Sequence, residues 1–151
     1  MTEKTFLMIK PDGVARGLVG KVISRVEMNG LKITAAKMIL VDDALARKHY
    51  EEHIEKDFFE RLLSFITSSP SIAMVVEGED AIQIVRTLVG KTDPKEAKPL
   101  TIRGDFGLST PNNIVHASDS KKSAKREIAL FFDPSEIFEY DQSDEGWIYG
   151  D

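Results

Sequence analysis

No cysteine occurs among the 151 residues. That absence removes disulfides, thiol nucleophiles and cysteine-ligated zinc together, and it suits a reducing compartment, so a cytoplasmic protein is expected. Long hydrophobic runs are missing too. The apolar stretch at residues 5–9 (TFLMI) stops at Lys10-Pro11, far short of a signal h-region or of the roughly 20 apolar residues that span a bilayer. No membrane partner is expected. An excess of positive charge is also lacking: 20 Lys and Arg face 25 Asp and Glu, for a net charge of −5. A protein that grips nucleic acid through its phosphates needs the opposite balance. No nucleic-acid partner is expected, and any phosphate-bearing ligand has to meet a local cluster of cations. Internal repeats and low-complexity segments are absent, and the length suits one domain over residues 1–151.

What is present reads as alternating strands and helices. Residues 5–9 form a buried strand ending in the turn Lys10-Pro11-Asp12-Gly13. Val19, Val22, Ile23 and Val26 follow helical spacing, with Gly30 just past the helix end. Residues 31–41 suit a pleated, half-buried surface, after which Asp42 caps a helix through His49 and Tyr50. A helix is expected over about 57–68, with Phe58, Leu62, Phe65 and Ile66 on one face and Pro70 stopping it. Residues 72–76 (IAMVV) read as a buried strand. Asp80 is expected to cap a helix carrying Ala81, Ile84, Val85 and Leu88, closed by Gly90. Residues 91–112 read as a long irregular loop of the kind that carries function. A brief strand at Ile114-Val115 and a helix capped by Ser120 follow, and the acidic end DQSDEGWIYGD reads as a tail or an oligomer contact. This order predicts an α+β ferredoxin-like sandwich, a four-stranded antiparallel sheet with helices packed on one face.

Three motifs compete for attention. His49-Tyr50-Glu51-Glu52-His53 matches the inverted zinc-peptidase pattern H-x-x-E-H on a predicted helix. A short pattern of common residues on a charged helix is weak evidence, and a solvated face is the better reading. VRTLVGKT (85–92) ends like a P-loop but lacks its first glycine, and its helix precedes the glycine instead of following it. Gly13, Gly17 and Gly20 fail the dinucleotide spacing, and the strands offer aliphatic residues where an RNA-binding sheet needs aromatics.

A different constellation holds together. Lys10, Arg86, Thr92, Arg103 and Asn113 fall at element ends and in the long loop, where a rigid scaffold builds a site. With them is the lone histidine of NIVHASDS (113–120). KPDGVARGLVG (10–20), IRGDFG (102–107) and NIVHASDS together resemble the nucleoside diphosphate kinase family. The resemblance continues in order through DFFERL, TSSP, AMVVEG, TDP and REIALFF, across nearly the whole chain.

The resemblance implies a ferredoxin-like enzyme that moves the γ-phosphate of a nucleoside triphosphate to a nucleoside diphosphate by a ping-pong route. ATP, GTP and other ribo- and deoxynucleotides are the implied substrates, and Mg²⁺ bridged by their phosphates is the implied cofactor, with no direct protein ligand. His116 resembles the nucleophile, Glu127 the carboxylate that fixes its tautomer, and Ser118 the support for that carboxylate. Arg86, Thr92 and Arg103 match the phosphate-binding residues; Lys10 matches the residue reaching the γ-phosphate and the ribose, and Asn113 the ribose contact. Tyr50 matches the aromatic beside the reacting phosphate, while Phe58 and Leu62 match the residues against the base. The family assembles as hexamers or tetramers, hexamer favoured here, and Pro94 matches a proline at subunit contacts. The chain departs from the family at Thr110-Pro111-Asn112, where Val-Gly-Arg is usual, so Thr110 stands where an apolar residue closes over the base. Leu100 replaces a usual glycine. An inactive nucleotide-binding or regulatory protein of the same fold is the alternative.

Overall fold

Residues 6–9 (FLMI) and 72–76 (IAMVV) are apolar at every position, and strands of that kind need cover on both faces. A computed structural model, which describes residues 2–150, pairs them at the centre of one antiparallel sheet. Strand β1 (Thr2–Ile9) lies between β3 (Ser71–Glu79) and the short β4 (Val115–Ala117), and β2 (Lys32–Ile39) forms the other edge, giving the order β2-β3-β1-β4. The helices are α1 (Pro11–Ala15), α2 (Val19–Met28), α3 (Asp43–His49), α4 (Phe59–Thr67), α5 (Ala81–Val89), α6 (Ile102–Phe106), α7 (Lys121–Phe131) and α8 (Glu145–Tyr149). None is long and apolar enough to cross a membrane.

The fold is the expected ferredoxin-like α+β sheet, but helices cover both of its faces instead of one. Successive residues of a strand point to opposite sides. Leu7, Ile9, Met74 and Val76 pack with Val22 and Val26 of α2, Val85 of α5 and Ile102 of α6. Phe6, Met8, Ala73 and Val75 pack with Ala46 of α3, Phe59, Leu63 and Ile66 of α4, and Phe131 of α7. Each large side chain so buried contributes about 1.5–3 kcal/mol, which is why an entirely apolar strand recruits two layers.

Other expectations are refined. Asp42 and Ser120 cap α3 and α7 with their side chains as predicted, and Gly90, at φ +90°, ends α5. Asp80 does not cap α5 with its side chain: it sits in the left-handed region at φ +52°. Glu3, from β1, accepts instead from the Ile82 N–H at 3.0 Å. The loop 91–112 contains α6, whose Thr101 side chain accepts from the Gly104 N–H. The acidic end folds back on the sheet edge: Phe138 N–H donates to Thr34 O at 2.9 Å, and Lys32 pairs with Glu145 at 2.9 Å.

Candidate active site

The short strand β4 takes its geometry from the turn before it. Ile114 sits at φ +76°, a region that a β-branched residue occupies at a cost of about 1–3 kcal/mol. Val115 N–H donates to Asn113 O at 2.9 Å across it, closing a three-residue turn. Lys10 N–H donates to Ile114 O at 2.8 Å, and Ile114 N–H donates to the Asp12 carboxylate at 2.9 Å. The Ile114 side chain is itself fully buried in the core. Pinned in this way, the turn aims Asn113 at Lys10 and sets His116 opposite Met8 in the strand register. His116 therefore projects on the Phe6 and Met8 side of the sheet, toward α3 and α7, with its ring 6.1 Å from that of Phe6.

There α7 supplies its partner. Glu127 is 4% exposed and lies with Oε2 2.5 Å from His116 Nε2. Ser118 Oγ donates to the other carboxylate oxygen, also at 2.5 Å. Burial works to raise the Glu127 carboxyl, but the hydrogen bond and charge of His116, the Ser118 hydroxyl and His49 outweigh it and hold the group below its ordinary value. An ionised carboxylate only accepts, so the imidazole proton resides on Nε2 and the lone pair on Nδ1. The His116 side chain is 31% exposed, and the residue lines a cleft of about 660 Å³, within the range of small-molecule sites.

Lys10, Arg86 and Arg103 give the cleft its positive charge. Arg103 is buried and donates to the carbonyls of Asn113 (3.3 Å), Gly90 (3.1 Å) and Val115 (2.7 Å), leaving two of its five N–H groups for a ligand. Burial, then the repulsion of Arg86, push its guanidinium down to about 10, against the pull of Asp12; it stays cationic at neutral pH. Lys10 Nζ donates to Asn113 Oδ1 at 2.5 Å, and Asn113 Nδ2 donates to Thr92 O at 3.0 Å. Burial lowers the Lys10 ammonium to about 8, partly offset by Asp12 and reinforced by Arg103. Tyr50, Phe58, Leu62 and Thr110 line the same cleft. Burial, with the charge of Glu127, raises the Tyr50 phenol to about 12, so its hydroxyl remains a donor.

Every residue expected to act in catalysis or to bind nucleotide thus reaches the cleft or, for Ser118, the carboxylate behind it. The predicted apolar face of α4 is corrected in part: Ile66 enters the core as expected, joined there by Phe59 and Leu63, while Phe58 is 43% exposed at the cleft with Leu62. The zinc-peptidase geometry does not form, because α3 ends at His49 and His53 falls on the following 3-10 turn. Pro94 is buried in its own chain against Gly107. Leu100 occupies the left-handed region at φ +74°, where the usual glycine would be at ease. The sequence does not reveal the places of two residues it brings into view: Asp12, which pins Ile114, and His49, buried edge to face on His116 with ring centroids 4.8 Å apart.

Residues 3–137 match the family model described as "Nucleoside diphosphate kinase". The chain belongs to the nucleoside diphosphate kinase family. A nucleoside diphosphate kinase of Archaeoglobus fulgidus is 60% identical over 147 residues, 97% of each chain, and one of Pyrococcus horikoshii is 56% identical over 151 residues, 98% of this chain and 96% of that one. Among solved structures, the Halobacterium salinarum nucleoside diphosphate kinase in complex with CDP superposes with a TM-score of 0.97 at 48% identity, covering 99% of both chains. The Borrelia burgdorferi enzyme, in a transition state mimic with vanadate and ADP, gives 0.90 at 43% identity, covering 97% of this chain and 96% of that one. Membership makes this chain a phosphotransferase, a nucleoside diphosphate kinase, and disfavours the inactive alternative.

Proposed function

We propose that the chain works as a single nucleoside diphosphate kinase domain, Mg²⁺-dependent and cytoplasmic, by a ping-pong route through a phosphohistidine at His116 Nδ1. The observation that carries this is the engagement of Nε2 by Glu127, which leaves Nδ1 as the nitrogen free to react. The Nδ1 lone pair attacks the γ-phosphorus, the bond from that phosphorus to the β,γ-bridging oxygen breaks, and the nucleoside diphosphate leaves. A second diphosphate then attacks the phosphohistidine through a terminal oxygen, and the N–P bond breaks in turn.

Phosphoryl transfer asks for in-line positioning and positive charge around oxygens that gain negative charge. Arg86, Arg103 and Thr92 take the phosphates; Lys10 meets the γ-phosphate and, with Asn113, the ribose; Tyr50 lies beside the reacting phosphate. Phe58 stacks on the base with Leu62 beside it and Thr110 opposite, and stacking without base-edge hydrogen bonds accepts any base. Lys10, Arg86 and Arg103 are the cleft's cations, and its buried carboxylate, Glu127, is engaged by His116 and Ser118, which fits a magnesium ion carried on nucleotide oxygens and waters, with no direct protein ligand. When bound, that ion neutralises phosphate charge. A homo-oligomer is supported by the apolar Met38 and Leu40 standing 61% and 65% exposed on and just beyond edge strand β2; the preference for a hexamer rests on the family resemblance alone.

The deciding experiment mixes the protein with γ-³²P-ATP and Mg²⁺, then removes nucleotide. Base-stable, acid-labile label on the wild type and none on His116→Ala is the expected result. A folded wild type that takes no label overturns the route.

A further inference from the structure

The buried histidine that opens the HYEEH stretch has no task in phosphoryl transfer. His49 is 7% exposed, and neither of its ring nitrogens has a hydrogen-bond partner. Buried polar atoms left unpaired cost about 1–3 kcal/mol and are uncommon. Its Nδ1 stands 3.6 Å from Glu127 Oε2, the same oxygen that receives His116 Nε2. Burial, then the neighbouring His116, hold this imidazole down at about 3, against the pull of Glu127. The 3.6 Å approach is therefore no ion pair at neutral pH, and His49 keeps a lone pair.

One nitrogen from each histidine and one Glu127 oxygen lie within 4.8 Å of one another. Two imidazoles and a carboxylate are a donor set of four-coordinate zinc, whereas Mg²⁺ asks for an octahedron of oxygens. We propose that His49, His116 and Glu127 form a binding site for Zn²⁺ whose occupancy reversibly switches the nucleophile off. Zinc holds its nitrogen and oxygen ligands at about 2.0–2.2 Å. Ligands at that length on a tetrahedral ion stand about 3.4 Å apart, so the His116–Glu127 contact opens by about 1 Å and the widest separation of the trio, within 4.8 Å, closes by about 1.4 Å as His49 moves in. The partly exposed His116 gives access from the cleft and leaves the fourth position to water. Arg126, whose charge bears on His49, is paired with Glu51 at 3.1 Å.

The consequence follows from proton count. A neutral imidazole carries one proton, here on Nε2. When zinc takes Nε2, that proton passes through solvent to Nδ1, and the lone pair that attacks phosphorus is gone. No proton is gained or lost overall. Binding is independent of the reading of His116 as nucleophile; only the inhibition rests on it.

The test titrates the full metal-free chain with ZnCl₂ and follows the ring nitrogens by ¹⁵N NMR. One zinc per chain is expected, with His49 and His116 resonances shifted, the His116 proton moved from Nε2 to Nδ1, and His53 unmoved. His49→Phe, which preserves an aromatic volume between Phe6 and Phe131, is expected to bind zinc at least about tenfold more weakly and to take label from γ-³²P-ATP in zinc that blocks the wild type. Glu127→Gln, read by zinc titration alone, serves if His49→Phe does not fold. No binding, binding undiminished in a folded variant, or shifts at His53 alone overturns the site. Zinc bound as expected on a His116 that never takes label leaves the site standing and sinks the phosphotransfer route.

Discussion

Lys10 Nζ donates to Asn113 Oδ1 at 2.5 Å, joining residues 103 positions apart in the wall of the cleft. The ammonium is held at about 8 against an ordinary 10.5, chiefly by burial. Between those values the unfolded chain binds more protons than the folded one, so this group makes stability rise with pH from about 8 to 10.5. Below about 8 the full cost, on the order of 3 kcal/mol, is present. Lys10→Met is expected to raise Tm at pH 7, to lose that alkaline slope, and to lower kcat/KM by about 10²–10³. Thermal melts across pH and steady-state kinetics check both halves.

Glu127→Gln tests the tautomer. A glutamine amide can donate to His116 Nε2 and so place the imidazole proton on Nδ1. Transfer is expected to fall about 10²–10⁴-fold with nucleotide binding little changed, read as kcat against nucleotide Kd.

Acid lability has two named sources. The unfolded chain protonates its histidine near 6.5, whereas His49 in the fold resists until about 3, so stability is lost as pH falls through that window. Glu127, depressed in the fold, adds stability that is present above the ordinary carboxylate range and lost as pH falls through its lowered value. His49→Phe removes the first source and trims the second, to which His49 makes the smallest contribution. Its unfolding midpoint is expected to vary less between pH 6.5 and 4 than that of the wild type, measured by denaturant titration at each pH.

At the base, Phe58→Ala is expected to weaken binding by about 1–3 kcal/mol, equally for adenine, guanine and cytosine nucleotides. Thr110→Val restores an apolar wall and is expected to tighten binding by about 0.8 kcal/mol, roughly fourfold. Nucleotide titrations of both variants with three bases check the pair; a base-selective loss at Phe58 contradicts stacking.

Leu100 is an exposed residue in the left-handed region. That conformation costs a side-chain-bearing residue about 1–2 kcal/mol, and glycine's extra unfolded freedom returns about 0.5–1 of it. Leu100→Gly is expected to stabilise the chain by about 0.5–1 kcal/mol without changing kcat; a lowered Tm contradicts the strain.

Much of this arrangement is legible in the sequence, and the gaps have physical causes. The apolar runs at 6–9 and 72–76, the caps Asp42 and Ser120, and Gly90 depend on local chemistry, and the structure has them so. The face of α4 agrees only at Ile66, because FFERLLSFI carries two adjacent apolar stripes, and only the sheet decides that Phe59 and Leu63 face inward. Helix α6 is five residues long with a glycine inside it, too short for any periodicity to show. Asp80 has the residue type of a cap, but a carboxylate on a distant strand, that of Glu3, does that work. His49 was visible only as part of a metal pattern, since its neighbours Glu127 and His116 lie far along the chain.

The bent residue Ile114, tied to Lys10 and Asp12 on the neighbouring turn, acts as a firebreak between the loop at 110–112 and the histidine strand. None of its anchors lies in that loop, although Thr110 and Pro111 line the cleft. The strand inherits its orientation from those anchors, so the loop can be re-engineered while the His116 imidazole keeps its aim.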